Sequence, residues 1–379
     1  MSFQLTEEQK MVRLMARDFA RKELEPEAAK RDKEEIFPTE VVKKMGRLGL
    51  LGMMVPVEYG GVGASTVSYC LALQEIAYSC ASTAVTMSVA NLSTEPLLKF
   101  GNESQKAKYL FGLAQGELLG CFALTEPGAG SDPGSLSTRA ENKGDYYLIN
   151  GTKIFITHGQ YADVVNLITR TGQDKGSKGL SAFIVEKGTP GFSIGTREDK
   201  MGLRASNTVE LIFDHCRVPQ KNLLGREGIG FKIAMTALDS GRIGIASQAI
   251  GIIRACLDES IRYARERKQF GKTISSFQAI QWMIADMATG LEAANLLTLS
   301  AAWKKDHKLP FTKEASMAKL FASELANKSA YLALQIHGGY GYLKDFKIER
   351  LYRDARATSI YEGTSEIQRL VIARNLLKD

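Results

Sequence analysis

The chain has 379 residues, 44% hydrophobic and 24% charged, with 49 Lys and Arg against 42 Asp and Glu for a formal net charge of +7. At about 150 residues per domain this length holds two or three domains with a sizeable core, and the composition excludes disordered, collagenous and disulfide-rich secreted classes. The basic excess is spread beside acids with no like-charged block or aromatic-interleaved stripe, which argues against a nucleic-acid surface. The first twenty residues carry charges of both signs where a signal peptide would place an apolar run.

From Thr6 to about Glu117 the chain reads helical. Thr6 and Gln9 form a capping box, followed by an apolar stripe of Val12, Met15, Ala16 and Phe19. A helix is predicted from Thr39 to near Gly49. Gly60-Gly61-Val62-Gly63 reads as a loop, and Thr66 to Asn91 supplies two more helices. The longest uncharged stretch, Ile76 to Thr94, is too rich in Ser and Thr for a membrane span and reads as a buried helix.

From Leu118 to about Gly230 the period falls to two. Tyr146 to Ile149, Lys153 to Ile156, Val164 to Thr169, Leu180 to Val185 and Thr208 to Phe213 are short runs rich in aromatic and β-branched residues. Turns at Asn150-Gly151 and Gly188-Thr189-Pro190-Gly191 separate them, which predicts an antiparallel sheet or barrel. Helical periodicity returns with Phe231 to Arg267, Ser276 to about Lys305, Thr312 to Gln335 (stopped by Gly338-Gly339) and Thr364 to Leu377. The all-α, all-β, all-α order lacks the βαβ alternation of a Rossmann domain. It predicts three domains: 1–118 (α-helical), 119–230 (antiparallel β) and 231–379 (a four-helix-bundle-like α domain).

Cys70, Cys80, Cys121, Cys216 and Cys256 are isolated, and His158, His215, His307 and His337 form no H-x-x-x-H pair. That spacing favours reduced core thiols in a cytoplasmic protein over a metal site or disulfide framework. Three loops carry candidate chemistry. Thr125-Glu126-Pro127-Gly128-Ala129-Gly130-Ser131-Asp132 packs glycines, for close backbone approach, beside hydroxyls able to bind phosphate or a heteroaromatic edge. His337-Gly338-Gly339-Tyr340-Gly341-Tyr342 closes a long helix and is equally a plain C-cap. In Tyr361-Glu362-Gly363-Thr364-Ser365-Glu366 a carboxylate precedes a helix mouth among apolar neighbours. A raised pKa there suits a base collecting a carbon-bound proton, while Thr364 or Ser365 caps the helix and Glu366 complements its positive pole.

Together, on this α–β–α frame, these segments resemble the acyl-CoA dehydrogenase family over nearly the whole chain, short-chain members above all. The resemblance is carried by Ala123 to Asp132, Arg265-Glu266-Arg267-Lys268-Gln269-Phe270-Gly271-Lys272, Gln335 to Tyr342 and Ile360 to Gln368. It implies that Glu362 removes the α-proton of an acyl-CoA thioester while the β-hydrogen leaves as hydride to N5 of FAD, giving a 2-enoyl-CoA. It further implies flavin-holding roles for Phe122, Ala123, Leu124, Thr125, Gly130 and Ser131 and for Phe155, Ile156 and Thr157. Arg267, Phe270, Gln278, Gln335, Ile336, Gly338 and Gly339 would contact the FAD of a neighbouring subunit, and Thr364, Ser365 and Glu366 the cofactor again. Ser131, Asp239, Arg242, Tyr361 and Gly363 would hold the thioester. A shared cofactor implies a homo-oligomer, usually a tetramer, and the family passes its electrons to an electron-transfer flavoprotein.

Two substrate features follow. Gly241 stands where some relatives carry the base, leaving Glu362 alone in that role, and Met87 to Glu95 holds no basic residue for a dicarboxylic acyl group. Asn91, Thr94 and Glu95 stand where the acyl chain would end, although Glu95 also reads as a solvated loop carboxylate. A short linear acyl group is expected, with a branched or alicyclic one as the alternative; an oxygen-using flavoenzyme and a non-catalytic acyl-CoA- or flavin-binding relative are further alternatives.

Overall fold

The computed structural model describes residues 4–172 and 176–377. Its first segment is helical: α1 (Glu7–Phe19), α2 (Ala28–Glu34), α3 (Thr39–Arg47), α4 (Thr66–Ser79), α5 (Ala81–Phe100) and α6 (Glu103–Gln115). The Thr6–Gln9 capping box starts α1, and Ala16 and Phe19 of its stripe are buried. A second box, Asn102 with Gln105, starts α6. The uncharged stretch is not one helix: Cys80, at φ −152° and ψ 104°, separates α4 from α5, which runs on through Pro96 to Phe100.

Next come β1 (Gly120–Ala123), β2 (Arg139–Asn142), β3 (Tyr146–Thr157), β4 (Val164–Arg170), β5 (Leu180–Glu186), β6 (Phe192–Arg197), β7 (Thr208–Pro219) and β8 (Leu223–Leu224). They form one sheet ordered β6-β7-β3-β2-β4-β5-β8, with β1 paired to β4. Pairing is mostly antiparallel, but β1 and β2 lie parallel to β4. The turn expected at Asn150-Gly151 is instead a bulge inside the continuous strand β3. The β3–β7 register shifts there, and the Asn150 side chain accepts the His215 backbone N–H at 2.8 Å.

The last segment holds α7 (Gly230–Glu266), the short hairpin β9 (Lys268–Gln269) and β10 (Lys272–Thr273), then α8 (Gln278–Asp306), α9 (Thr312–His337), α10 (Lys347–Thr358) and α11 (Ser365–Leu376). The separate helix α10 was not expected from the sequence. α7 is the hub, packing on α4 and α5 from the first segment and on α8, α9 and α10 from its own. Among the described residues no helix is long and apolar enough to cross a membrane.

One buried carboxylate ties the two helical segments together. Glu75 of α4 accepts from Arg13 of α1 at 2.8 Å, from Arg17 of α1 at 3.2 Å and from Arg254 of α7 at 2.6 and 2.8 Å. The three guanidinium groups outweigh the cost of burial and hold its pKa down to about 2. Removing it strands three cations, so Glu75→Leu is expected to cost about 3–5 kcal/mol. Because the folded-state pKa is depressed, the contribution is present above the usual carboxylate range and is lost as pH falls toward 2. Thermal unfolding should therefore show a wild-type advantage near neutrality that shrinks between pH 5 and pH 2; equal midpoints at pH 7 would refute it.

Candidate active site

Glu362 sits on the corner between α10 and α11. It is one of few non-glycine residues with positive φ (+55°), and Gly363 follows at +91°. A β-carbon costs energy in that region, so such a corner persists only where its surroundings over-determine it. Here Gln368 of α11 donates its Nε2 to the Glu362 carbonyl at 3.1 Å and to the Gly363 carbonyl at 2.9 Å. Lys319 of α9 donates to the same Gly363 carbonyl at 2.7 Å. Thr364 caps α11 by accepting the Ile367 N–H at 3.4 Å, and the Ser365 hydroxyl is held by Glu324. Tyr361 is anchored through its hydroxyl to Gln248 of α7.

The Glu362 side chain turns toward α7. A Cβ at Gly241 would lie 2.4 Å from Oε2, so the carboxylate occupies space that only glycine leaves free. Oε2 is enclosed and, among the described residues, has no hydrogen-bond partner. Desolvation raises the Glu362 pKa to about 7, with Arg242 and then Lys319 pulling the other way. The group is thus poised between acid and base near neutrality, as proton transfer from carbon requires.

Arg242 is buried beside it, its Nη1 2.6 Å from Asp239 Oδ1, and Thr312 donates to the other Asp239 oxygen at 2.6 Å. Burial raises the Asp239 pKa, against the pull of Arg242. Three residues beyond Gly241, about 4.5 Å along the helix, a Cβ at Gly244 would meet the hydroxyls of Ser88 and Tyr69 at 2.6 and 2.7 Å.

The Thr125–Asp132 loop is braced from beneath. Lys153 of β3 donates to Glu126 at 2.7 Å and to the Leu124 carbonyl at 2.9 Å. Glu126 also accepts from Ser137 N, Ser137 Oγ and Thr138 N at 2.6, 2.8 and 2.9 Å. Ile154 N donates to the Thr125 carbonyl at 2.9 Å, tying the loop to the strand that carries Phe155, Ile156 and Thr157. Phe155 is 59% exposed at φ +58° while Ile156 is buried. Ser131 is exposed, and a Cβ at Gly128 or Gly130 would meet nothing within 4 Å. The loop therefore presents open backbone and hydroxyls, supported by a satisfied ion pair.

A second group gathers at the far end of α7. Arg267, Ile336, Gly338 and Gly339 line a cavity of about 500 Å³ with Tyr263 and Tyr340. The Arg267 guanidinium lies 5.4 Å from the centre of the Tyr340 ring. Gln335, Gln278 and Phe270 are exposed around it, Phe270 by 92% at the tip of the β9–β10 hairpin.

Two substrate-end expectations change. Asn91 is buried and fully engaged: it accepts from Met53 N at 3.1 Å and donates to the Leu50 and Met87 carbonyls at 2.9 and 3.0 Å. Its amide holds the loop after α3. Glu95 is not a solvated loop carboxylate; it lies within α5, 4% exposed, paired with Lys99 at 3.0 Å and Lys305 at 3.2 Å and accepting from Ser240 at 2.9 Å.

Sequence reasoning missed Lys319, Gln368, Lys153 and Tyr69. Lys319 had a signal: it is the lone charge on a face otherwise made of Ala315, Ser316, Ala322 and Ser323, all buried.

Fold and site together define a flavoprotein oxidoreductase. The chain belongs to the acyl-CoA dehydrogenase family: the family's N-terminal, middle and C-terminal domains match residues 6–117, 121–216 and 228–377. It is 53% identical over 378 residues to the mitochondrial short-chain specific acyl-CoA dehydrogenase of Rattus norvegicus, covering 100% of this chain and 92% of the relative. It superposes with a TM-score of 0.98 on butyryl-CoA dehydrogenase from Megasphaera elsdenii, at 44% identity over the full length of both. A chain solved in a study of the electron transferring flavoprotein of Acidaminococcus fermentans matches with a TM-score of 0.99 at 48% identity, again over both full lengths. It is accordingly an acyl-CoA dehydrogenase using FAD, and the open glycine loop and the Arg267 cavity suit that cofactor.

A methyl at position 241 must displace the Glu362 carboxylate. Gly241→Ala is expected to retain FAD but slow anaerobic flavin bleaching by acyl-CoA about 100-fold, the cost of roughly 1 Å of misplacement. Bleaching at the wild-type rate would show that the carboxylate does not act from this position.

Proposed function

We propose that the chain dehydrogenates a short acyl-CoA at its α,β-bond, with Glu362 as the base that takes the α-proton. The observation that carries this reading is the Glu362 carboxylate itself: enclosed at Oε2, without a hydrogen-bond partner there among the described residues, raised to about 7 and set opposite Gly241. FAD, when bound, supplies the two-electron acceptor for the β-hydride.

The protein's own part is geometry and charge. The Glu362 N–H, on a corner held by Gln368 and Lys319, would donate to the thioester carbonyl and stabilise charge as the α-proton leaves. Gly363, Tyr361 and Ser131 complete the thioester site, and Asp239 and Arg242 form its charged wall. Thr125 and Thr157 would hold the flavin edge on the braced loop and β3, with Phe122, Ala123, Leu124, Gly130, Phe155 and Ile156 around it and Thr364 to Glu366 at the α11 mouth. The Tyr69 and Ser88 hydroxyls, one helical step beyond Gly241, support a short acyl chain, as do the short-chain and butyryl-CoA names of its relatives.

The Arg267 cavity lies about 39 Å from Gly241 along α7 at 1.5 Å per residue. That is farther than one FAD with its flavin at Glu362 reaches, which supports Arg267, Phe270, Gln278 and Gln335 to Gly339 serving a neighbouring subunit's cofactor. Exposed apolar side chains on α8, α9 and the hairpin, among them Trp282, Phe321 and Phe270, support a homotetramer. Electron-transfer flavoprotein is the proposed acceptor, supported by the match to a chain from a study of such a protein. The five buried, unpaired cysteines support a reducing, cytoplasmic setting.

Glu362→Gln should bind FAD and acyl-CoA yet bleach at least roughly 1000-fold more slowly, because an amide cannot accept the proton. In the wild type the bleaching rate should climb with pH through about 7 and then level, since only the ionised carboxylate acts. Undiminished bleaching in the variant would place the base elsewhere. Among acyl-CoA esters, butyryl should outpace octanoyl by about tenfold or more, as even single methylenes are discriminated at that level; an octanoyl preference would refute the short-chain reading. Light scattering should give four chain masses, and a monomer that holds FAD would overturn the shared site.

A further inference from the structure

Lys319 is fully buried, with 0% exposure, and the dehydrogenation chemistry assigns it no step. Among the described residues its ammonium makes no ion pair; its hydrogen bond is to the Gly363 carbonyl at 2.7 Å. Gln368, a neutral amide, already donates to that carbonyl and to the Glu362 carbonyl. Burying an ammonium costs far more than burying an amide, so holding the backbone alone does not account for a lysine here.

The charges around it supply the second reason. Facing Lys319 are Glu362 on the corner, Arg242 of α7, Glu324 on its own helix and Glu366 of α11. Facing Glu362 are Arg242 and Lys319, with Tyr69 of α4 and Tyr361 close by. Arg242 exerts the larger pull, but its guanidinium is already joined to Asp239 at 2.6 Å. Lys319, next to the corner, is in no salt bridge among the described residues.

We propose that Lys319 is a positioning residue for Glu362, holding the left-handed corner through the Gly363 carbonyl and setting, through its charge, the pH at which the carboxylate becomes a base. This rests on Glu362 being the base. Burial lowers the Lys319 pKa to about 8 while Glu362 rises to about 7, so between those values both are mostly charged, and each favours the other's charged form.

Three variants of the FAD-loaded enzyme separate the two roles. Lys319→Met removes charge and donor, Lys319→Gln removes the charge but keeps an N–H, and Gln368→Leu removes a donor but no charge. Two readouts follow: the pH profile of anaerobic bleaching by butyryl-CoA, and infrared titration without acyl-CoA of the carboxyl C=O band that disappears in Glu362→Gln. Both lysine variants should raise the midpoint by about one pH unit in both readouts, the scale of losing one nearby charge. Gln368→Leu should lower the alkaline plateau several-fold at an unchanged midpoint, and Lys319→Met should lower it as well. A folded lysine variant with an unmoved infrared midpoint overturns the proposal. If Lys319→Met does not fold, Lys319→Gln decides alone. Glu362→Gln that still bleaches would refute the base while leaving the infrared coupling measurable, so the two failures are distinguishable.

Discussion

A carboxylate that is to pull a proton from carbon must be kept from water, yet a dry carboxylate tends to stay protonated and inert. In the proposed mechanism that conflict organises the structure around Glu362. Desolvation raises its pKa, and two cations on different helices, Arg242 of α7 and Lys319 of α9, stop the rise near neutrality. Neither cation could be placed there by local structure. The corner itself, with positive φ at Glu362 and Gly363, is intrinsically unfavourable and is held because α9 and α11 each send a donor to its carbonyls. The long helices are thus the frame for one backbone conformation.

The sheet solves a similar problem in another way. Its Thr125–Asp132 loop, proposed to hold the flavin, needs exposed backbone, which glycine supplies, but a glycine-rich loop is floppy unless anchored. Lys153 and Glu126 form the anchor, both nearly inaccessible, with the carboxylate drawing four donors in all. Buried ion pairs are poor sources of net stability because desolvation offsets the attraction. With every oxygen engaged, this one instead fixes where Leu124, Thr125 and Glu126 run. Glu75, with its three arginines, does the same for the docking of α1 and α4 on α7.

Much of this was legible in the sequence, and the failures have a common cause. Capping at Thr6, the stop at Gly338, the span of α7 and the corner before α11 at Glu362 are local signals, set by residues within one turn of each other. Asn150-Gly151 carries the local signature of a hairpin. The partner strand β7 overrides it by pairing on both sides of the dipeptide and absorbing it as a bulge. Glu95 looked solvated because Lys305, which pairs with it, and Ser240, which donates to it, are remote in the chain. Lys153 escaped for the same reason, since strand alternation alone cannot reveal a buried lysine whose carboxylate is 27 residues away. α10 was missed because charged residues surround its few buried positions, Ile348, Leu351 and Ala355 among them.

The length of α7 links the chemistry to assembly. Gly241 near its beginning makes room for the Glu362 carboxylate, and Arg267 at its end lines a cavity about 39 Å away by helical rise. In a single chain the two features serve no common ligand of dinucleotide size. They become complementary when a second copy brings its Arg267 end to the first copy's flavin loop, so each protomer in the proposed arrangement holds the base of one site and the outer grip of another. α8 fits this reading: only five of its residues are buried, and Trp282 on it is 64% exposed. Its outer apolar side chains, Trp282 among them, are available to a second copy in that arrangement. Cofactor retention and subunit association then draw on the same contacts, so dissociating the subunits would release the flavin even though Glu362 and its corner remain intact.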